Sequence, residues 1–376
     1  MSEKAKRLID VLNLPADLRK LDNRSLEQVA AELRQVIVET VATNGGHLGA
    51  SLGAVELAVA LHAELDTPHD AIIWDVGHQA YAHKLLTGRL KRFHTIRQYG
   101  GLSGFPSRDE SPFDVYGTGH ASTSISAAVG LAEAERRSRQ GRRRHVVAVI
   151  GDGALTGGLA YEALNHAGHL RTPVLVVLND NAMSIDRNVG AMSAYLSRLR
   201  TDPRLHRLRR DLEQRLQRLP GIGERMAHMG EQLKDSIKAA LVPGMLFEEL
   251  GFTYMGVIDG HDITALRSNI RRALRLDEPV LLHCRTVKGK GYVPAERQPR
   301  RFHGTRPFAV ETGEQTETGE KQTFTAAFAE ALLQYARQDE RVVAITAAMA
   351  TGTGLDRLQK EMAERFFDVG IAEAHA

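Results

Sequence analysis

Cysteine and long apolar runs are scarce in this chain. Cys284 is the only cysteine among 376 residues, which excludes an internal disulfide and is typical of a reducing compartment. No apolar run reaches the ~18 to 20 residues that a membrane-spanning helix needs. Residues 1–12 have neither the apolar core of a signal peptide nor the composition of a transit peptide. We therefore expect a protein of the bacterial cytoplasm with no membrane partner.

The excess of positive charge is small. Lys and Arg total 49 against 46 Asp and Glu, and the formal net charge is +3. The arginines concentrate in residues 198–225, where leucines recur on one face and long same-sign tracts are absent. This pattern favours a solvated helical arm over a surface for nucleic acid or membrane. Nucleic acid is therefore not an expected partner.

The alternation of strand-like and helix-like segments predicts an α/β fold with a largely parallel sheet flanked by helices. Near the N-terminus, two helices are predicted around a bend that contains Gly45, Gly46 and Gly49. A first domain is expected at residues 1–310, with an arginine-rich excursion at 186–242. Residues 311–321 have the composition of a linker, and residues 322–376 begin a second α/β domain.

Polar side chains follow two apolar runs that read as neighbouring strands. Residues 145–150 lead into Asp152, and residues 173–178 lead into Asn181. Because parallel strands joined by a helix end at the same edge of a sheet, these two side chains are expected to lie close together. A carboxylate and an amide oxygen suit Mg²⁺, which completes its octahedron with phosphate oxygens and water. Either half alone is a weak signal, and the pair predicts a metal-diphosphate site.

Several motifs carry a resemblance to a known family. Gly151-Asp152-Gly153 followed by Asn181 resembles the thiamine diphosphate signature of transketolases and related enzymes. Further segments resemble the 1-deoxy-D-xylulose-5-phosphate synthases. They are Gly45-Gly46-His47-Leu48-Gly49, Trp74-Asp75-Val76-Gly77-His78-Gln79-Ala80-Tyr81, Gly119-His120-Ala121-Ser122-Thr123-Ser124, Asn179-Asp180-Asn181-Ala182-Met183-Ser184-Ile185, Val257-Ile258-Asp259-Gly260-His261-Asp262 and Thr286-Val287-Lys288-Gly289-Lys290-Gly291-Tyr292.

The resemblance implies the thiamine diphosphate-binding fold and a homodimer. It implies a transferase that condenses pyruvate with glyceraldehyde 3-phosphate, releases CO₂, and uses thiamine diphosphate and Mg²⁺. The product would enter non-mevalonate isoprenoid synthesis and serve as a precursor of thiamine. Residues 1–310 would be the diphosphate-binding domain, and residues 322–376 the beginning of the pyrimidine-binding domain.

The resemblance also implies roles for single residues. Glu373 matches the glutamate that keeps the pyrimidine of the cofactor protonated, and His47 and His303 match histidines that face the reacting carbon. Asp152, Asn181 and the carbonyl of Met183 match the Mg²⁺ ligands. The implied cofactor contacts, with Lys288 included for its positive charge, are His78, Gly119, His120, Ala121, Gly153, Ala154, Asn181, Lys288, Tyr292 and Glu373.

Members of this family continue through the rest of a pyrimidine-binding domain and a third domain. Ala374 stands where the family resemblance leads us to expect Gln after the glutamate. A fragment is the favoured interpretation, and a split enzyme completed by a separate C-terminal chain or an inactive remnant are the alternatives. Two other functions remain open, namely a transketolase and a non-catalytic subunit that binds thiamine diphosphate.

Overall fold

The computed structural model describes residues 6–138, 143–183, 189–201, 244–316 and 323–376. Its centre is a five-stranded sheet with strand order β1-β2-β3-β5-β4, and neighbouring strands pair in parallel. The strands are β1 (Ala71–Trp74), β2 (Val146–Gly151), β3 (Leu175–Asp180), β4 (Thr253–Asp259) and β5 (Val280–Arg285). The predicted fold class is therefore confirmed.

The helices around this sheet begin at polar caps in several cases. Asp22 Oδ1 accepts a hydrogen bond from Ser25 N–H at 2.9 Å, and Asp262 Oδ1 accepts one from Ala265 N–H at 2.9 Å. The helices are α1 (Asn23–Asn44), α2 (Leu48–Gly53), α3 (Val55–Glu64), α4 (Tyr81–Lys84), α5 (Ser124–Ser138), α6 (Gly158–Leu170), α7 (Gly190–Thr201), α8 (Met245–Glu249), α9 (Ile263–Leu274) and α10 (Val293–Arg297). In the described part of the chain, no helix has both the length and the apolarity to cross a bilayer.

The sheet is buried on both faces, as the near-continuous apolar runs of its strands predict. Along β2, Val147 and Val149 face the core that contains α1, α3 and α9. Val146 and Ala148 face the opposite core, which contains α5 and α6. The alternation of side chains along each strand therefore divides the interior into two cores.

The glycine-rich bend differs from its prediction. Instead of two helices, the structure has three, and Gly49 lies inside α2. The reason is a tertiary contact, because a Cβ at Gly49 would lie 3.1 Å from Phe302 O and 3.3 Å from Lys288 Cγ. Gly49 therefore permits a close approach, and the turn itself is made by Gly45 and Gly46, which have φ of 72° and 141°.

The residues from 323 onward form a smaller α/β unit. It contains α11 (Phe324–Gln338), β6 (Ala344–Thr346), α12 (Asp356–Glu361) and β7 (Phe366–Asp368), and β6 pairs in parallel with β7. This order of helix, strand, helix and strand is that of an α/β unit, as expected for residues 322–376. Leu333, Leu355 and Leu358 pack together in a small core of its own.

The predicted arginine-rich excursion at residues 186–242 lies largely outside the described residues. Its described portion contains α7, whose Leu196 and Leu199 are buried in the core with α5 and α6. The predicted linker at residues 311–321 is described only as far as residue 316. The division into two domains at these boundaries stays a prediction.

Candidate active site

The ends of β2 and β3 bring the first predicted pair of residues to one edge of the sheet. Gly151 pairs in register with Asn179, and Asp152 N–H donates to Asn179 O at 3.3 Å. Asp152 follows β2 directly, and Asn181 follows β3 directly. Both residues line a cavity of about 220 Å³. The expectation that the two strand ends converge is therefore confirmed.

The cavity collects nearly all of the residues singled out from the sequence. It is lined by His47, His78, Gly119, His120, Ala121, Asp152, Gly153, Ala154, Asn181, Met183, Lys288, His303 and Glu373, and also by Ala50, Asp75, Val76, Gln79, Phe105, Gly151, Ala347, Met349 and Ile371. These residues come from the strand ends, from the start of α2, from the loop before α5, from the loops on both sides of α10, and from the smaller unit. One continuous site therefore involves both parts of the chain.

Tyr292 is the predicted cofactor contact that the structure does not bring to the cavity. Its ring packs against Phe302 and Phe308 with centroid distances of 5.8 Å to each. Its hydroxyl donates to Val310 O at 2.8 Å. The prediction for Tyr292 rested on its match to a family position, whereas in this structure the ring packs in an aromatic cluster outside the cavity lining.

Three histidines meet in the cavity. The ring centroids of His47 and His78 lie 5.9 Å apart, those of His47 and His303 lie 5.8 Å apart, and those of His78 and His303 lie 5.4 Å apart. Among the described residues, the Nδ1 atoms of His47 and His78 have no hydrogen-bond partner although they are buried. Such unsatisfied atoms indicate a place for a polar ligand.

Burial keeps these histidines neutral. It lowers the pKa of His47 from 6.5 to about 4, and the charges of Arg97 and Lys288 lower it further. Burial, followed by the charges of His47 and Lys288, lowers the pKa of His78 to about 3. Burial and then Lys288 lower the pKa of His303 to about 2. The rings can therefore donate and accept hydrogen bonds near neutral pH without carrying charge.

Lys288 supplies positive charge to the same cavity. Its side chain is buried, and its Nζ donates to His303 Nδ1 at 2.9 Å. The donated hydrogen bond requires a lone pair on His303 Nδ1, so it favours the neutral ring. The geometry and the lowered pKa of His303 therefore agree.

Asp75 is a functional residue that the sequence reasoning missed. It follows β1, and its two carboxylate oxygens accept hydrogen bonds from Ser122 N–H at 2.8 Å and Ser124 N–H at 3.0 Å. Burial raises the pKa of Asp75, and these hydrogen bonds oppose the rise. The carboxylate thereby fixes the loop that presents Gly119 and His120 to the cavity. Its position after a strand was the signal that could have identified it.

The loop before α5 is also tied to the loop after β2. Ser122 Oγ donates to Ala154 O at 2.6 Å. A Cβ at Gly157 would lie 2.2 Å from Ser122 Oγ, so only glycine allows the two loops to approach this closely. The backbones of both loops are thus held on the same side of the cavity.

Gln79 is a second residue that the sequence reasoning left without a role. Its Oε1 accepts from Asn179 Nδ2 at 2.8 Å, and Asn179 Oδ1 accepts from Thr286 Oγ1 at 2.5 Å. In the described part of the chain, nothing accepts a hydrogen bond from Gln79 Nε2, which is buried. Gln79 therefore presents a donor to the cavity, and no local sequence pattern reveals this.

The smaller unit closes one side of the cavity with its last turn. Ile371 packs against the core beneath α6, and its carbonyl oxygen lies 3.5 Å from Thr156 Oγ1. Glu373 follows two residues later, where its exposed side chain lines the cavity. The contact of Ile371 thus fixes the position from which Glu373 faces the site.

The oxygen atoms at the sheet edge fit a hard cation bound together with a diphosphate. Asp152 is buried, and Asn181 Oδ1 accepts from Met183 N–H at 3.1 Å, which leaves it a second lone pair. Within the described residues, no three His, Cys, Asp or Glu side chains form a group that could hold a metal ion by themselves. One carboxylate with neutral oxygens leaves coordination positions for phosphate and water, which is the pattern of Mg²⁺.

Family comparisons agree with this geometry. The N-terminal family model of 1-deoxy-D-xylulose-5-phosphate synthase matches residues 9–286. The model of the pyrimidine-binding domain of transketolase matches residues 320–376. The two matches together span most of the chain.

Curated relatives lead to the same family. The 1-deoxy-D-xylulose-5-phosphate synthase of Halothermothrix orenii is 55% identical over 98% of this chain and 58% of its own length. That of Desulfitobacterium hafniense is 56% identical over 96% of this chain and 57% of its own length. The chain therefore spans a little over half the length of these relatives.

Solved structures of transketolases share the fold. That of Campylobacter jejuni has a TM-score of 0.57 at 20% identity, and the match covers 92% of this chain and 50% of the transketolase. That of Leishmania mexicana has a TM-score of 0.55 at 20% identity, and the match covers 89% of this chain and 49% of the transketolase. Taken with the family models and the curated relatives, these findings show that the chain belongs to the 1-deoxy-D-xylulose-5-phosphate synthase family.

Proposed function

We propose that this chain forms the cofactor site of a 1-deoxy-D-xylulose-5-phosphate synthase. The reaction is the condensation of pyruvate with glyceraldehyde 3-phosphate with loss of CO₂, at the entry to non-mevalonate isoprenoid synthesis. The observation that carries the proposal is the single cavity lined by Asp152, Asn181, Lys288 and Glu373. Residues 1–310 act as the diphosphate-binding domain in this proposal, and residues 322–376 begin the pyrimidine-binding domain.

The cofactor is held at its charged end by the loops after β2 and β3. Asp152, Asn181 Oδ1 and the carbonyl of Met183 bind Mg²⁺, and Gly153, Ala154 and Asn181 contact the diphosphate. The buried charge of Lys288 favours an anionic ligand. The further contacts are His78, Gly119, His120 and Ala121, which line the same cavity.

Thiamine diphosphate, when bound, supplies the stabilisation of negative charge that the loss of CO₂ from pyruvate requires. Glu373 holds a proton on the pyrimidine nitrogen that faces it. His47 and His303 orient the carboxylate and carbonyl of pyruvate through their neutral rings and donate hydrogen bonds to the carbonyl oxygen of the acceptor aldehyde as it gains negative charge.

A homodimer and a cytoplasmic location belong to the same proposal. Both rest on the family, whose full-length members are longer than this chain. A separate C-terminal chain is the proposed partner if the 376 residues act as one half of a split enzyme. The transketolase alternative is supported by the match of residues 320–376 to the transketolase pyrimidine-binding domain and by the fold of solved transketolases that are 20% identical.

Calorimetric titration of the 376-residue chain with thiamine diphosphate tests the proposal. Binding is expected with Mg²⁺ and is expected to weaken strongly when Mg²⁺ is removed by a chelator. Asp152→Asn is expected to reduce the affinity by about 10-fold or more, because it removes the only carboxylate of the cation site. Asp109→Asn, on the surface, is the matched control. The absence of Mg²⁺-dependent binding would contradict the proposal.

Release of CO₂ from pyruvate separates the catalytic function from the alternatives. A synthase releases CO₂, whereas a transketolase leaves pyruvate intact. The exposure of Glu373 favours keeping the non-catalytic subunit as a second candidate, because this carboxylate is not enclosed by the described residues. That candidate gains support if Glu373→Ala leaves the biological effect unchanged while Asp152→Ala abolishes it.

A further inference from the structure

Asp180 is the last residue of β3 and directly precedes Asn181, but it does not line the cavity. The alternation along β3 places Val176, Leu178 and Asp180 on the same face of the sheet, towards the core with α5 and α6. Asn181, the next residue, lines the cavity. A fully buried carboxylate therefore lies directly behind the proposed ligands.

The Asp180 carboxylate fixes the turn that carries those ligands. Its Oδ1 accepts from Ala182 N–H at 3.1 Å. Ala182 has a φ of 63°, a left-handed conformation that a side chain rarely adopts without support. Asn181 and Met183 flank Ala182, so the hydrogen bond sets the direction of both proposed ligand groups.

His283 holds the second oxygen of Asp180 from the neighbouring strand β5. The distance from His283 Nε2 to Asp180 Oδ2 is 2.9 Å, and both side chains are fully buried. The other ring nitrogen, Nδ1, lies 2.8 Å from Tyr254 OH on β4. Because the carboxylate can only accept, Nε2 carries the hydrogen, and Nδ1 accepts from the tyrosine hydroxyl.

Tyr254 is itself held in place by packing. Its ring stacks on Phe247 with a centroid distance of 5.9 Å and an interplanar angle of 4°. A Cβ at Gly244 would lie 2.4 Å from the ring, so the backbone of residue 244 also approaches the ring closely. The hydroxyl therefore reaches His283 from a rigid position.

We propose that Tyr254, His283 and Asp180 form a positioning relay for the cation site. Tyr254 fixes the tautomer of His283, His283 orients Asp180, and Asp180 holds the Ala182 turn so that Asn181 and Met183 face the cation. The proposal rests on the proposed function, because it assumes that these two residues bind Mg²⁺. None of the three relay residues lines the cavity, so they act through the ligands and do not touch the cofactor.

The proposed relay predicts that a variant that disrupts it loses selectivity for Mg²⁺ over Ca²⁺. Mg²⁺ demands a nearly ideal octahedron, whereas Ca²⁺ accepts longer and more variable geometry. Tyr254→Phe removes only the hydroxyl and keeps the stacked ring. We expect it to weaken Mg²⁺-dependent binding of thiamine diphosphate by about 10-fold, a typical effect of losing a group that orients a metal ligand. Ca²⁺-dependent binding is expected to change less, so the ratio of the two affinities falls.

The matched control is Tyr161→Phe. The Tyr161 hydroxyl is buried without a hydrogen-bond partner among the described residues, and its removal is expected to leave both affinities unchanged. His283→Gln, which can still donate to Asp180, is expected to retain more of the Mg²⁺ affinity than His283→Leu. Partial rescue of this kind requires the hydrogen bond and does not follow from packing alone.

The outcomes separate this proposal from the function on which it rests. If the unmodified chain binds thiamine diphosphate with neither cation, the proposed function is wrong. If it binds and Tyr254→Phe keeps the Mg²⁺ to Ca²⁺ ratio of the unmodified chain, the relay is wrong and the function stands. Equal losses with both cations also overturn the relay, because they indicate a general loss of structure.

Discussion

A buried lysine beside three half-buried histidines sets the charge of the cavity. Neutral rings are costly to protonate here, since burial and the nearby ammonium both disfavour a second cation. Burial lowers the pKa more than the ammonium does for each of His47, His78 and His303. At the scale of single residues, the site therefore keeps its positive charge on Lys288 and leaves the rings available for hydrogen bonding.

Lys288→Met tests this division of charge. The pKa of His303 is expected to rise from about 2 but to stay below 6.5, because the charge of Lys288 is lost while burial remains. The pKa of His47 and that of His78 are expected to rise in the same direction. NMR titration of isotope-labelled histidines measures all three. Lys290→Met is the matched control, and an equal rise in that variant would contradict the assignment.

The sequence identified the proposed ligands at the strand ends better than the residues that support them. Asp152 and Asn181 could be found because a polar residue after an apolar run is a local pattern. Gln79 was not found, because its role depends on Asn179, which is distant in sequence and adjacent only in the folded sheet. The packing of Tyr292 could not be predicted for the corresponding reason, since the aromatic cluster that buries it assembles only in the fold.

At the scale of elements, Glu56 on α3 holds the segment that carries Lys288 through hydrogen bonds on both sides of the lysine. His261 Nδ1 lies 3.0 Å from Glu56 Oε2, and its Nε2 accepts from Val287 N–H at 2.8 Å. Arg34 donates to Glu56 Oε1 at 2.5 Å and to Lys290 O at 2.7 Å. The backbone on both sides of Lys288 is therefore fixed by one buried carboxylate.

Glu56→Gln is expected to loosen this segment. The charge-assisted hydrogen bonds of Glu56 are worth about 1.5 to 3 kcal/mol each, so the Val287 amide is expected to exchange about 10- to 100-fold faster. Hydrogen exchange followed by mass spectrometry measures the change. Glu64→Gln, also on α3, removes an acceptor from Arg267 and Arg271 and should leave the Val287 amide protected. An unchanged exchange rate of the Val287 amide in Glu56→Gln would contradict this role of Glu56.

Helices and strands could be predicted from the sequence where the local pattern of residues agrees with the fold. The strands could be predicted because runs of Val, Ile and Leu buried on both faces leave little ambiguity when Gly and Asp follow them. The helix that contains Gly49 could not, because glycine normally indicates a bend and its use here depends on the approach of Phe302 from elsewhere in the chain. The arrangement of the smaller unit at the cavity likewise required tertiary contacts such as that of Ile371.

At the scale of the whole molecule, buried neutral histidines link stability to pH. Burial lowers the pKa of five of them, namely His47, His62, His78, His83 and His303. Each has a usual pKa of 6.5, so the unfolded chain binds protons below that pH while the folded chain does not. Their contribution to stability is therefore fully present above pH 6.5 and is lost as the pH falls towards the lowered values.

The carboxylates affect the stability of the fold in a lower range of pH. Hydrogen bonds from His83 and Arg89 hold the pKa of Asp114 well below its usual 3.8, although burial alone would raise it. Its contribution is present above pH 3.8 and is lost only below that pH. The decline of stability just below pH 6.5 is accordingly assigned to the histidines.

Urea unfolding at several pH values tests this assignment. The free energy of unfolding is expected to fall below pH 6.5 by about 1.4 kcal/mol per pH unit for each histidine that stays neutral in the fold. His78→Asn removes one such group, so its decline is expected to be shallower by about that amount per pH unit. His69→Asn is the control, because His69 is exposed to solvent and its loss should leave the slope unchanged. A stability that stays constant between about pH 6.5 and about pH 5 would show that the buried histidines take up protons in the folded protein.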